Sequence, residues 1–292
     1  MAGKSGERRK ASRNGNRPAA LTAATADHHL LYEISVQDPT SELDLVERIY
    51  RSKRGRGFKD LKEDFCGTAT LSCHWVRGGA DRRAVGVDLH APTLAWGLRY
   101  HMAPLGEDAR RVKLIQANVL DVRSPKVDVV LAMNYSYSVF KTRAELLRYF
   151  KNARRSLRRD GMFVIDAFGG TDAMGEIIEE RANKTTVRPD GTRVPRFTYV
   201  WEQARFNPID NRILCYIHFK FRDGTTLKRA FTYDWRLWQL PELRELMEEA
   251  GFRDIEFYAD GWAKDGEADG VYRRKTRFEN IAGWLAYVVG YV

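Results

Sequence analysis

Apolar and polar positions change their rhythm twice along this chain. Between residues 58 and 166, short apolar runs alternate with stretches whose apolar residues recur at helical spacing. This predicts strands over 60–64, 84–88, 113–117, 127–133 and 162–166, and helices over 68–77, 92–102 and 142–157. In the last helix, Leu146 or Leu147, Phe150, Ala153 and Leu157 form one stripe, and Asp160-Gly161 ends it. Strands alternating with helices imply a mostly parallel sheet covered on both faces.

Over 197–238 the period becomes two. Ile213, Cys215, Ile217, Phe219 and Phe221 share one face, Tyr216, His218 and Lys220 the other, and Asp223-Gly224 marks a hairpin. Three antiparallel strands are expected there. A helix over 241–250 begins with Pro241 and ends before Gly251. Two more strands follow over 255–259 and 284–289, separated by a long surface loop over 260–281. Upstream, 28–57 reads as helical pieces broken at Pro39, with Thr40 or Ser41 capping the second. Residues 1–27 read as a disordered basic tail, and 58–292 as the main domain, with 197–238 inserted in it.

Composition narrows this picture. A chain of 292 residues, 43% hydrophobic, can bury a substantial core. No apolar run approaches the roughly 18 residues of a membrane span. Three cysteines without metal-ligand spacing imply reduced thiols in a cytoplasmic protein and no metal. Half of the net charge of +10 comes from residues 1–20, where Lys4, Arg8, Arg9, Lys10, Arg13 and Arg17 stand against Glu7. Such an arm can hold nucleic acid, but a solubilising extension is the favoured reading.

The candidate chemistry lies at predicted strand ends. Glu63-Asp64-Phe65-Cys66-Gly67-Thr68-Ala69-Thr70 is an acidic strand end running into a small-residue turn and a helix. Val85-Gly86-Val87-Asp88-Leu89 is an apolar strand ending in a carboxylate, 25 residues after Glu63, a spacing that fits one strand-helix-strand unit. A carboxylate there can accept both hydroxyls of a ribose. Gln116-Ala117-Asn118-Val119-Leu120-Asp121 ends a third strand, and the fourth, from Val127, delivers Asn134-Tyr135-Ser136-Tyr137. Only Gly67 stands where a dinucleotide-binding turn carries several glycines, which disfavours a nicotinamide oxidoreductase.

In this order and spacing, the segments resemble the motifs of class I S-adenosylmethionine-dependent methyltransferases, over about residues 62–170 and more loosely to the C-terminus. The resemblance implies an α/β, Rossmann-like fold with a seven-stranded, mostly parallel sheet, an antiparallel β insertion and an N-terminal helical extension. It implies S-adenosyl-L-methionine as cofactor. Glu63 would bond the methionine ammonium, with Asp64 its near rival; Gly67 would let backbone approach the methionine portion. Asp88 would hold the ribose, Asn118 and Val119 would meet the adenine, and Leu89 and Phe65 would be further cofactor contacts. Asn134 would stand beside the reacting methyl. Phe65 and Ala69 replace the family's outer glycines, and Phe65 is expected to change the turn.

The family's amino-group enzymes often carry prolines after the Asn134 position, and this chain has none. Asn134, Tyr135 and Asp166 are the catalytic candidates; His218 and Tyr137 are weaker candidate bases. The antiparallel insertion is expected to cover the acceptor with Tyr199, Trp201, Tyr216, Tyr233 and Trp235, and Tyr32 and Glu33 to close the other side. The acceptor is expected to be a small molecule. An RNA or protein methyltransferase using the tail, and a cofactor-binding protein without catalysis, remain open alternatives, as does the oligomeric state.

Overall fold

A computed structural model describes residues 21–188, 191–260 and 269–292. The alternating segment builds β1 (Asp60–Asp64), α3 (Thr70–Arg77), β2 (Arg83–Asp88), α4 (Ala91–Gly97), β3 (Val112–Gln116), β4 (Val127–Ala132), α5 (Arg143–Ser156) and β5 (Leu157–Gly169). These five strands pair in parallel in the order β3-β2-β1-β4-β5. Thr142 caps α5 through a reciprocal pair with Glu145, in which Glu145 N–H donates to Thr142 Oγ1 and Thr142 N–H to Glu145 Oε2.

Beyond β5 the sheet turns antiparallel. β14 (Trp284–Tyr291) pairs with β5, with Tyr287 opposite Asp166, and β12 (Arg253–Ala259) pairs with β14. A short edge strand, β13 (Arg273–Lys275), makes eight strands where seven were expected. It lies within the segment read as a loop. A run of charged residues hides a three-residue edge strand, because edge strands favour charge.

The second sheet is also larger than expected. β6 (Ile177–Asn183), β9 (Phe197–Asn207), β10 (Arg212–Lys220) and β11 (Thr226–Arg236) pair antiparallel in the order β11-β10-β9-β6. The insertion therefore starts near 177 rather than 197. β6 reads Ile-Ile-Glu-Glu-Arg-Ala-Asn, mostly exposed, and carries no alternation to find. β7 (Thr186–Val187) and β8 (Arg193–Val194) form a small separate ladder. α6 (Leu240–Glu249) leads back to the main sheet.

The N-terminal helices divide between the two sheets. α1 (His28–Val36) sets Leu31 among Phe197, Ile217 and Phe219 of the second sheet. α2 (Pro39–Arg54) sets Leu43, Val46, Ile49 and Tyr50 against one face of the main sheet, with Leu131, Val164 and Tyr287. The N-cap of α2 is Asp38, not Thr40 or Ser41: its carboxylate accepts the Ser41 N–H, because Pro39 suits the first helical position. Residues 21–27, read as tail, are part of this packing: Leu21, Ala23 and Ala26 lie on the second sheet and Asp27 caps α1. Residues 1–20, which carry the expected basic arm, lie outside the described residues.

The opposite face of the main sheet is covered by α5 and α6, through Leu146, Phe150, Ala153, Leu243 and Leu246. An ion pair is buried below the first turn: Lys62 Nζ lies 2.7 Å from Asp64 Oδ1 and donates to the Val122 carbonyl at 3.1 Å. Tyr149 Oη donates to Asp64 Oδ2 at 3.1 Å. These bonds offset the desolvation of two charges in the core. They occupy Asp64, whereas the Glu63 side chain reaches Ser72 of α3.

Candidate active site

The strand order reverses between β1 and β4, and the crevice at that reversal is where open α/β sheets bind ligands. The chain runs from β1 into α3 through left-handed backbone at Phe65 (φ 59°), Gly67 (φ 53°) and Ala69 (φ 58°). Phe65 and Ala69 thus keep the left-handed backbone that glycine adopts freely, at a steric cost of roughly 1–2 kcal/mol each. Packing holds Phe65 there: its ring meets Phe140 and Tyr149 edge-on, with centroids at 6.2 and 5.5 Å.

The space beside Gly67 is open. A Cβ built on it would come no nearer than 3.9 Å to another atom, that of Thr93 Cγ2. Asp88, at the end of β2, reaches across the turn: Oδ2 accepts the Gly67 N–H at 2.8 Å, and Oδ1 accepts the His90 N–H at 2.8 Å. Leu89 beside it is 67% exposed, an apolar side chain without a protein partner to cover it. An open glycine cradle, a half-exposed carboxylate at a strand end and an exposed apolar side chain fit a donor with an amino-acid portion, a ribose and a base.

Glu63 is buried, and its Oε2 accepts both the N–H and the hydroxyl of Ser72 in α3, at 3.0 and 2.5 Å. Burial pushes its carboxyl up to about 7 despite those bonds. Asn118 is exposed and closes a local turn, its Oδ1 accepting the Leu120 N–H at 2.9 Å. Val119 differs from expectation. It is buried in the core with Val87 and Val122 rather than open to a base, which leaves Leu89 as the exposed apolar side chain of the pair.

Between the main sheet and the insertion lies a cavity of about 690 Å³. Asn134 and Tyr135 line it, as do Tyr199, Trp201, Tyr233 and Trp235. Tyr216 and His218 do not: they lie on the opposite face of β10, where His218 Nε2 meets Glu202 at 2.8 Å. The period-two pattern had already separated these two from the inward residues. Tyr137 is buried away from the cavity.

Asn134 and Tyr135 are both left-handed, at φ 56° and 57°. Asp166 holds them so: its Oδ2 accepts the Asn134 N–H at 2.8 Å and its Oδ1 the Tyr135 N–H at 2.9 Å. Burial raises its carboxyl to about 7, against the pull of these bonds. Both oxygens are engaged by backbone, and Asp166 does not line the cavity. Its carboxylate thus holds the turn and does not face the cavity as the base expected at a strand end; β5 in fact runs on to Gly169.

Two further residues, Glu33 and Gly97, support the first turn, and only Gly97 is hard to see in the sequence. Glu33 of α1 accepts from the Thr68 hydroxyl at 2.6 Å and contacts His101 Nε2 at 2.5 Å, tying the N-terminal segment to the first turn. Gly97 of α4 presses against that turn: a Cβ there would lie 2.1 Å from the Thr68 carbonyl oxygen. Glu33 is visible as an acid on an amphipathic helix, whereas nothing near Gly97 in the sequence announces a close approach.

Residues 64–165 match the family model described as a methyltransferase domain. No curated protein sequence matches the chain. Solved structures do. An S-adenosylmethionine-dependent methyltransferase from Clostridium acetobutylicum is similar at TM-score 0.63 and 15% identity, over 90% of this chain and 96% of that one. An S-adenosylmethionine-bound amino pentose methyltransferase from Micromonospora echinaspora gives 0.63 and 13%, over 91% and 96%. A sugar N-methyltransferase from a Streptoalloteichus species gives 0.59 and 19%, over 98% and 99%. At these identities the likeness is one of fold. Residues 64–165 thus match a methyltransferase domain, within a chain that shares the fold of these structures.

Proposed function

We propose that the protein transfers a methyl group from S-adenosylmethionine to a small molecule held in the 690 Å³ cavity. One observation carries this reading. The turn at Asn134–Tyr135 stands at the switch point of the sheet and also lines the cavity, so donor side and acceptor side meet there. The donor, when bound, supplies a methyl carbon already activated by a positively charged sulfur. The protein's work is then positioning and exclusion of water.

In this reading Gly67 lets backbone approach the donor's amino-acid portion, and ionised Glu63 takes its ammonium. The Asp88 carboxylate turns from the N–H groups of Gly67 and His90 to the two ribose hydroxyls. Leu89 packs on the adenine, with Asn118 at its edge. Asn134 and Tyr135, held by Asp166, face the acceptor. Tyrosine and tryptophan faces of the second sheet form the acceptor's walls.

The buried free thiols of Cys66, Cys73 and Cys215 support a cytoplasmic setting. Among the described residues, no helix is long and apolar enough to cross a membrane. The nucleic-acid reading rests on residues 1–20, outside the described residues.

The test is calorimetric titration with S-adenosylhomocysteine. The wild-type chain is expected to bind it, and Asp88→Ala to bind roughly 10- to 100-fold more weakly, the worth of one or two hydrogen bonds to a charged acceptor. Absence of binding by the wild type overturns the reading; equal affinity of the variant removes Asp88 from the ribose.

A further inference from the structure

The residues lining the cavity contain ionisable groups, but none stands as a base at its depth. Asp172 and Glu179 are exposed at its rim. The amide nitrogen of Gln203 donates to the carbonyls of Asp172 and Gly175, at 2.9 and 2.8 Å. Asp166 is spent on backbone N–H groups. Burial drives the hydroxyls of Tyr135 and Tyr233 well above their ordinary range, so neither ionises near neutrality.

What the cavity does offer is aromatic surface. Tyr135, Phe168, Trp201, Tyr233 and Trp235 form one continuous wall. Tyr135 and Phe168 have centroids 4.7 Å apart, Tyr233 and Trp235 stack at 4.3 Å, and Trp201 lies 6.0 and 6.1 Å from those two. The faces of such rings carry negative potential and attract alkylammonium ions. Glu179 and Asp172 add negative charge at the mouth, while the one cation lining the cavity among the described residues, Arg181, donates to the Ser35 carbonyl and lies over Tyr199, 5.2 Å from its centroid, a ring outside that wall of five.

We propose that the acceptor is an amine, and that the aromatic wall holds the alkylammonium formed by its methylation. This rests on the methyl-transfer reading above. A neutral amine needs no base: its lone pair forms the N–C bond as the C–S bond breaks, and the bonding pair stays on sulfur. The donor leaves as a neutral thioether, and the positive charge passes to nitrogen, against the wall. A proton then leaves the nitrogen to water at the cavity mouth. A hydroxyl acceptor would require proton removal at the moment of attack.

The test uses tetramethylammonium as probe and tert-butanol as its uncharged counterpart. Each is titrated into the full-length chain saturated with S-adenosylhomocysteine, with tryptophan fluorescence and side-chain NMR as readouts. Tetramethylammonium is expected to perturb the tryptophan signals and to bind at least tenfold more tightly than tert-butanol. Trp235→Leu and the milder Trp201→Phe are expected to weaken it about three- to tenfold while leaving S-adenosylhomocysteine affinity unchanged. Equal binding of the two probes, or tetramethylammonium binding unaffected in both variants, overturns the amine assignment. Failure of the wild type to bind S-adenosylhomocysteine instead overturns the methyl-transfer reading, so the two failures are distinct.

Discussion

Asp166 lies within β5 and Tyr135 just past β4, and one hydrogen bond of 2.9 Å fixes the second to the first. With the matching bond to Asn134, a single carboxylate holds two successive left-handed residues without a glycine. The strained turn places an amide and a tyrosine ring at the cavity, and its stability depends on an acceptor at both oxygens.

Asp166→Asn is therefore expected to cost about 1–3 kcal/mol of stability, because the new amide nitrogen faces an N–H donor and leaves it unpaired. Turnover should fall at least tenfold while S-adenosylhomocysteine affinity changes little. Thermal unfolding, calorimetry and labelled-methyl assays check the three parts separately. A variant with wild-type turnover would show that the turn holds itself.

The raised carboxyls of Glu63 and Asp166 predict a pH dependence. Both take up protons near pH 7 when folded and near pH 4 when unfolded. The folded chain thus binds more protons in that window, and stability falls as pH rises from about 4 to about 7. S-adenosylmethionine should reverse part of this, since its ammonium favours ionised Glu63. Binding near pH 6 is expected to release protons. Calorimetry in buffers of different ionisation enthalpy measures that release, and Glu63→Gln should abolish it.

Gly97→Ala tests the close approach of α4 to the first turn. The added methyl would lie 2.1 Å from a backbone oxygen, so the turn or the helix must move. Donor affinity is expected to fall by about tenfold or more, with a stability loss of roughly 1–3 kcal/mol, as for overpacking elsewhere. Wild-type donor affinity in a folded variant would remove α4 from the list of supports.

Deletion of residues 1–20 separates small-molecule from nucleic-acid acceptors. The truncated chain is expected to retain S-adenosylhomocysteine affinity and turnover on a small amine. Loss of a salt-sensitive RNA association together with turnover would favour the nucleic-acid alternative.

The parallel strands were legible because most obey local rules: β2 and β4 are apolar runs that stop at Asp88 and just before Asn134. The second sheet was half legible. β9, β10 and β11 alternate cleanly, whereas β6 is recruited by pairing with β9 and carries little pattern of its own. β13 is legible only after the fold, since three charged residues become a strand through β12 beside them. The bonds of Asp166 could not be read from its place at the end of the predicted strand, which in the structure continues to Gly169. Whether such a carboxylate faces substrate or backbone depends on the turn after β4, which is a matter of tertiary geometry. Val119 shows the same limit: a turn residue's side chain can point to core or crevice with no change in sequence pattern.

In the proposed reading, the second sheet supplies most of the rings around the acceptor, and the main sheet supplies the donor's grips. Chemistry and choice of substrate are thereby written in separate parts of the chain. On that reading, substitutions along β9 and β11 can redraw the list of molecules methylated while the cofactor's hold stays as it was, so changes of selectivity should concentrate in 177–236.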